Sequence, residues 1–319
     1  MNGAQRASKV RNMMKAAQFS RFGGPEVLEI VDLPDPHPGP GQIRIVVHAA
    51  GINATEWKLR KGLLNFGAGL PQTTGRDVAG VVDEVGEGVR DVAVGDRVFG
   101  VSDDGAGAAE RALLTYRAPL PPSLGFVDAA ALPVALETAT RSLDALSVGR
   151  GITLLINGAA GGIGSTAVQL AVARGARVIG TARTANHDYL QLLGAEPVTY
   201  GEGMAERVRA LAPDGVDTAL DVAGSGVLPE LIDLAGGPQN VVTLADIDGA
   251  RRHEVRFSNG FHGHAFHALR EIGALIEAGR FWLPVDRTYP LHKISEAHRV
   301  SEHGHVRGRL VLVIRGGTA

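Results

Sequence analysis

The sequence predicts an α/β chain built as an antiparallel β-barrel followed by a doubly wound parallel sheet. Three observations carry that prediction. The first 120 or so residues string short β-branched runs between glycine- and proline-rich turns, and the stretch from Gly151 alternates apolar strands with helical repeats. A glycine-rich loop then joins the first strand of that second stretch to its first helix. With 319 residues, the chain exceeds one ordinary core, because domains run to about 100–200 residues. Its 43 glycines are roughly twice the usual share of about 7% and imply many tight turns.

Taken in order, the strand-like runs from Lys15 to about Leu120 are VLEIVDLP, QIRIVVHAAGI, VAGVVDEVG and DRVFGV, with PDPHPGPGQ and frequent glycines between them. Between Asp128 and Leu146 the text becomes DAAALPVALETATRSLDAL, whose alanine and leucine spacing suits helices and whose proline suits the first turn of a second one. From Gly151, strands ITLLIN, ARVIGTA, EPVTY, VDTALDVAG and QNVVTLA alternate with helices such as TAVQLAVARG, HDYLQLLG and MAERVRALAP. Valine- and leucine-rich strands with helical crossovers imply a parallel sheet covered on both faces. The later run HALREIGALIEAGRFWLPVDRTYPLHKISEAHRV is helical first and last, and RLVLVI is a strand that returns to the barrel. One unit is therefore expected over 14–130, completed by 285–319, and the other over 131–284.

Composition narrows the function. A formal net charge of -2 offers no electrostatic reason to bind nucleic acid or an anionic membrane. Cysteine is absent, which removes disulfides, thiolate nucleophiles and every cysteine-containing zinc site. No apolar run approaches the roughly 18 residues of a membrane span. The opening MNGAQRASKVRNMM has no secretory core; residues 1–13 read as a disordered extension or an upstream start rather than an arginine-bearing organelle leader, and stand outside the expected fold. A cytoplasmic protein with a small-molecule partner is expected.

The most informative residues are Gly158, Ala159, Ala160, Gly161, Gly162, Ile163 and Gly164, in NGAAGGIG between strand ITLLIN and helix STAVQLAVA. In that context the glycines permit a tight turn, close helix packing and approach of a pyrophosphate to the helix N-terminus, where amides and dipole favour anions. This is a Rossmann-type dinucleotide site. At the end of its second strand an NAD site carries an Asp or Glu against the ribose 2′-hydroxyl. Here Thr181, Arg183 and Asn186 stand instead, with no carboxylate before Asp188, which favours a 2′-phosphate and hence NADPH over NADH. The alternative is that Arg183 is a solvated surface residue. Tyr200, ending the third strand, either borders the adenosine half or is an ordinary sheet-edge tyrosine. The strand-end turns at Ala223 and at Leu244–Ala245 are expected to border the nicotinamide half.

From Met14 to Ile314 the runs KAAQFSRFGGPEVLEIVDLPDP, GINATEWKLRKG, GRDVAGVVDEVGEGVRDVAVGDRVFG, LPVALETAT, INGAAGGIGSTAVQLA, LGAEPV and VRGRLVLVI resemble the zinc-free medium-chain dehydrogenase/reductases of the zeta-crystallin-type quinone oxidoreductase family. The resemblance implies a GroES-like barrel completed by the C-terminus, a Rossmann domain, NADPH in the cleft between them, and a homodimer. It also implies hydride transfer to a quinone or activated enone. Zinc-dependent relatives carry a cysteine and a Gly-His-Glu motif, whereas this chain reads Gly75-Arg76-Asp77 and has no cysteine, so no metal is expected. Without a Lewis acid, suitable acceptors are those that delocalise the arriving charge onto oxygen, for which one or two hydrogen-bond donors suffice.

Asn53 is the candidate donor to nicotinamide or substrate oxygen, its other reading being a turn-stabilising asparagine. Trp57 is a candidate cleft wall. Thr138 matches a family threonine near the nicotinamide, or else caps a helix. His262, His264 and His267, with His303 and His305 later, lack an accompanying cysteine or carboxylate and read as loop histidines rather than a metal site. Phe261 and Phe266 either line an apolar substrate pocket or pack under the loop. Two other functions stay open: an enoyl-thioester reductase, which would use Lys58, Arg60 and Lys61 for its carrier's phosphates, and a redox-inactive NADPH-binding sensor or scaffold.

Overall fold

The structure is a computed structural model that describes residues 12–64, 67, 69–260 and 263–315. Strand β1 (Met13–Phe19) pairs antiparallel with β2 (Leu28–Pro34). Then come β3 (Ile43–Ile52), helix α1 (Ala54–Arg60), β4 (Gln72–Thr73), β5 (Asp77–Val85), β6 (Arg97–Val101), β7 (Arg111–Leu114) and β8 (Tyr116–Pro119). Two helices follow, α2 (Phe126–Ala130) and α3 (Pro133–Ala145), and Pro133 opens the second as its fixed φ favours.

The alternating half runs β9 (Thr153–Asn157), α4 (Gly162–Ala173), β10 (Arg177–Ala182), α5 (His187–Leu192), β11 (Glu196–Thr199), α6 (Met204–Leu211), β12 (Thr218–Asp221), α7 (Leu228–Leu234), β13 (Val241–Thr243), α8 (Ile247–His253) and β14 (Arg256–Phe257). The chain closes with α9 (Ala268–Glu277), β15 (Val285–Pro290), α10 (Ile294–His303) and β16 (Arg309–Val313).

Two large sheets result. The barrel sheet has the order β15-β16-β3-β5-β6-β8, with β7 also on β3, so the last strand pairs antiparallel with β3, Leu310 opposite Ile52. The second sheet is parallel throughout, in the order β11-β10-β9-β12-β13-β14. Strand order reverses at β9, and in such sheets ligands bind beyond the carboxyl ends of the strands at that switch.

Burial explains both sheets. In β9, Leu154 and Ile156 pack with Val178, Leu220 and the α4 residues Ala167, Val168 and Ala171, while Leu155 faces the opposite layer with Ile179, Val208 and Leu231. Both faces are covered, as near-continuous apolar strands require. The barrel interior gathers Ile43, Ile45, Val47, Val82, Leu114, Leu310 and Leu312. A third cluster, including Phe99, Ala130, Leu136, Leu269 and Val311, packs α2, α3 and α9 on the barrel, with Ile163 and Leu170 of α4 against it. Each such Leu or Ile side chain contributes about 1.5–3 kcal/mol by leaving water. Among the described residues, no helix is long and apolar enough to cross a membrane.

Candidate active site

The glycine loop begins directly after β9. Gly158 has φ +85, and a Cβ on it would lie 2.8 Å from the Ala223 Cβ. A Cβ on Gly164 would overlap the Gly158 carbonyl oxygen, and one on Gly162 would overlap the Arg309 side chain. Gly161 differs: a Cβ there meets only the Gly158 oxygen, at 3.8 Å. Gly158 and Gly164 are thus required by packing, whereas Gly161 has room for a Cβ; its amide donates to the Gly158 carbonyl at 3.4 Å and its main chain is bridged to Gly308 at the start of α4, the end of a helix that favours anions. Ala159 and Ala160 are buried and Ile163 is half-buried between two core clusters, so this part of the loop presents mainly main chain.

A buried hydrogen-bond network laces the strand ends beneath that loop. The Gly158 amide donates to Thr181 Oγ1 (3.0 Å), which donates to Asn157 Oδ1 (2.8 Å). Asn157 Nδ2 donates in turn to Asp221 Oδ1 (2.9 Å), which also accepts the amides of Ala223 (3.2 Å) and Gly224 (2.8 Å). Thr243 Oγ1 donates to Asp221 Oδ2 (2.7 Å) and accepts the amides of Ala245 and Asp246, both at 3.2 Å. Four strands are tied at their carboxyl ends, and the turns at Ala223 and Leu244–Ala245 are held by it. Thr181 is fully buried with its hydroxyl committed inside this network, so it shapes the loop and is not available as a donor to a 2′-phosphate. Asp221 was not anticipated; its one signal is an acid closing the otherwise uncharged, fully buried strand TALD.

The expected adenosine end is open. Arg183 is exposed and follows β10, and its guanidinium makes no hydrogen bond or ion pair with the described residues. Ala182 pairs with Thr199 across β10 and β11, so Arg183 and Tyr200 leave neighbouring strands side by side. Tyr200 is 46% exposed and Asn186 is half-buried. His187, next to Asn186, reaches Thr199 Oγ1 at 3.5 Å; sequence reading passed over it.

On the barrel side lies a cleft of about 420 Å³, whose lining includes Phe19, Glu56, Thr74, Arg76 and Asp103. All its lining residues belong to the barrel. Asp77, which follows the lining residue Arg76 but is itself fully buried, has its Oδ2 paired with Arg309, the side chain lying against Gly162. Asp77 Oδ1 accepts the Val134 amide at 2.7 Å.

Asn53 does not play the role expected of it. Its Nδ2 donates to Glu56 Oε1 and to Asp77 Oδ2, both at 3.1 Å, so both amide hydrogens are committed to buried carboxylates. Glu56 also accepts the Arg76 amide (3.3 Å) and the Thr74 hydroxyl (3.3 Å). Burial pushes the Glu56 carboxyl up to about 7, only partly offset by the Asn53 hydrogen bond. Burial raises Asp77 as well, against the pull of Arg309. His298 Nε2 stands 3.9 Å from Glu56 Oε2, yet burial, helped by the Arg60 charge, lowers its pKa to about 3. With both partners driven toward neutrality, the contact is one of uncharged groups rather than an ion pair.

Other expectations change in the same way. The Trp57 ring is half-buried under Lys58 and Lys61, 5.7 and 5.5 Å from its centroid, and is not among the residues lining the barrel cleft. Arg60, expected at the rim, is fully buried and paired with Glu302, which also binds Lys61 at 2.8 Å. Thr138 lies inside α3, not at its N-cap, and donates to Glu137 Oε2 at 3.1 Å. Glu137 also binds Arg141 (2.7 Å), His264 Nδ1 (3.2 Å) and the Ala265 amide (3.3 Å). Burial alone would raise this carboxyl, but these bonds, Arg141 foremost, hold it below the ordinary carboxylate range. Phe266 stacks between His264 and Tyr116, while Phe261 and His262 lie outside the described residues. His267 precedes α9, and His303 and His305 contact main-chain carbonyls. Among the described residues, no three His, Cys, Asp or Glu side chains are grouped to hold a metal ion.

Known proteins resemble this chain over nearly all its length. The alcohol dehydrogenase GroES-like domain family matches residues 39–116, and the zinc-binding dehydrogenase family matches residues 193–312. Rat quinone oxidoreductase is 31% identical over 327 aligned positions, spanning 95% of this chain and 99% of its own. The chain belongs to the zeta-crystallin-like medium-chain dehydrogenase/reductases. Among solved structures, the quinone oxidoreductase of Coxiella burnetii superposes with a TM-score of 0.83 at 32% identity, covering 95% of this chain and 100% of its own. A mycobacterial protein solved as its NADPH complex gives 0.82 at 28% identity, covering 94% and 100%. This medium-chain dehydrogenase/reductase is accordingly an NAD(P)-dependent oxidoreductase.

Proposed function

We propose that the protein is an NADPH-dependent, zinc-independent reductase of quinones or activated enones, working in the cleft between barrel and parallel sheet. The observation that carries this reading is an uncommitted Arg183 one strand away from the glycine loop that opens α4. The loop Gly158–Gly164 suits the pyrophosphate. Arg183, with Asn186 and Tyr200 beside it, suits the 2′-phosphate, since no carboxylate precedes Asp188. Ala223, Leu244 and Ala245, held by Asp221 and Thr243, border the nicotinamide half, with Thr138 on α3 as a further wall.

When bound, NADPH supplies a hydride. The chain's own residues orient the two reactants and exclude water from between them. With no cysteine in the chain and an arginine at position 76, a cysteine–histidine zinc site cannot be assembled, so the acceptor must delocalise charge by itself. The pairing of Arg60 and Lys61 with Glu302 weighs against a phosphate site for a thioester carrier. Two units, 14–130 with 285–319 and 131–284, a homodimeric assembly and a cytoplasmic location complete the reading.

The test is NADPH and NADH oxidation by purified protein with a panel of quinones, alkenals and enoyl thioesters, followed by the loss of reduced-nicotinamide absorbance. Arg183→Ala is expected to lower kcat/KM for NADPH about 10–100-fold, the worth of one charge-assisted contact, and to leave NADH unchanged. Equal use of both cofactors by the parent protein would sink the cofactor assignment, and no turnover with any acceptor would sink the reductase.

A further inference from the structure

The proposed chemistry needs a donor at the oxygen where charge arrives, and Asn53 is not free to be one. Among the described residues lining the barrel cleft, Arg76 is the one cation. Its main chain is fixed at both ends: its amide donates to Glu56 Oε1 at 3.3 Å and its carbonyl accepts the Ser102 amide at 2.7 Å. Its half-buried guanidinium has no hydrogen bond or ion pair with any described residue. Other polar liners are committed: Thr74 donates to Glu56, and Asp103 Oδ2 accepts from Gln42 Nε2 and from the Thr115 hydroxyl.

We propose that Arg76 is a catalytic residue that binds the anionic oxygen formed on the acceptor when hydride adds to its conjugated system. This rests on the reductase reading above and deepens it. In the step, a hydride adds to a carbon of the acceptor, the displaced π pair moves onto the conjugated oxygen, and a proton from water completes the reduced product as the nicotinamide is oxidised. A guanidinium presents several donors in a fixed plane and keeps its charge at any working pH. It supplies electrostatically what a metal supplies elsewhere, in a partly water-excluded cleft where such contacts are strong.

The neighbouring acids leave that charge available. Glu56 receives donors from Asn53, Thr74 and the Arg76 amide, with His298 beyond it, and its carboxyl is largely protonated below about 7. Asp77, next in sequence, turns its two oxygens to Arg309, Asn53 and the Val134 amide. Neither acid hydrogen-bonds or ion-pairs with the Arg76 guanidinium, whose charge acts on Asp77 through space only, and Asp104 in the cleft lining makes no bond to it. The cleft therefore favours acceptors whose oxygen is exposed at one end of a flat conjugated system, and product-like phenolates as inhibitors.

The experiment uses Arg76→Gln and Arg76→Lys with two readouts. Binding of 4-nitrophenol, titrated by the visible absorbance of its anion, needs no turnover. The parent protein is expected to bind it as phenolate and lower its apparent pKa, Arg76→Lys to do so weakly, and Arg76→Gln not at all. In turnover with a quinone, Arg76→Gln is expected to lose about 10²–10³ in kcat with the Kd for NADPH unchanged, and added guanidinium to restore part of it. Folded Arg76→Gln that keeps both phenolate binding and kcat within a factor of about three overturns the proposal. A parent protein that turns over no acceptor, while phenolate binding still depends on Arg76, overturns the reductase reading but upholds the anion site.

Discussion

The parallel sheet and the barrel are built around polar groups in opposite ways. Under the parallel sheet, Asp221 is a single buried carboxylate that accepts from Asn157, Thr243 and the amides of Ala223 and Gly224, so its acceptor capacity is used by neutral donors. In the barrel, Glu56, Asp77, Arg309, His298 and Arg60 crowd together, all buried, and several of their atoms lack partners: both ring nitrogens of His298 and Nε of Arg60 and Arg309. The first network fixes geometry. The second moves the titration of Glu56, Asp77, His298 and Arg60 away from their ordinary ranges by burial, which is where a chemically active surface is found.

That contrast predicts unlike responses to the same kind of substitution. Asp221→Asn replaces an acceptor by an amide that must turn its own hydrogens toward existing donors, and stability is expected to fall by about 3–4 kcal/mol, since each stranded buried group costs about 1–3 kcal/mol. Glu56→Gln at pH 5 replaces a largely protonated carboxyl by a neutral isostere and is expected to stay within about 1 kcal/mol of the parent. Urea denaturation of both variants reads the difference; equal losses would show that the two networks do the same work.

The barrel network can be separated further by pH. Glu56 titrates near 7 in the folded chain against 4.5 when unfolded, so the stability it contributes is complete below 4.5 and is lost as pH rises through 7. His298 titrates near 3 against 6.5, so its contribution is complete above 6.5 and is lost as pH falls through 3. Between about 4.5 and 6.5 the two slopes oppose each other. Relative to the parent, Glu56→Gln should gain about 1.4 kcal/mol per pH unit as pH rises across 4.5 to 7, whereas His298→Gln should gain as pH falls below 6.5. Parallel pH profiles for the three proteins would remove the buried titrations from the account.

Sequence reading succeeded where the determining contacts are local. The order of strands and helices, the start of α3 at Pro133 and the glycine loop all follow from residues a few positions apart. It failed for Asn53, Thr181, Trp57 and Arg60, whose types suited a cleft but whose polar atoms or rings are engaged elsewhere. Asn53 is bound to Asp77, 24 residues away, and Arg60 to Glu302 on α10. Asp77 meets Arg309 across 232 residues, a pairing fixed only when β16 returns to β3. Spacing along one strand says which residue types are near a site; whether a donor remains free depends on partners that the fold brings from far along the chain.

The smallest expected effect tests the cofactor wall alone. Gly161 and Gly164 lie three residues apart in one motif, and sequence treats them alike. The structure separates them, because a Cβ on Gly164 would overlap main chain whereas one on Gly161 meets nothing closer than 3.8 Å. Gly161 also has an ordinary φ of -77 as the N-cap of α4, so alanine fits its backbone without strain. Gly161→Ala is therefore expected to unfold within about 0.5 kcal/mol of the parent, as a strain-free change outside a packed contact does, yet to bind NADPH about tenfold more weakly, because the new methyl occupies the surface over which a pyrophosphate must approach the amides. Gly164→Ala should show the reverse order, a clear loss of stability with any loss of affinity following from it. Calorimetric binding of NADPH alongside thermal unfolding of the two variants distinguishes them. If Gly161→Ala binds NADPH as the parent does, the start of α4 is not where the pyrophosphate rests.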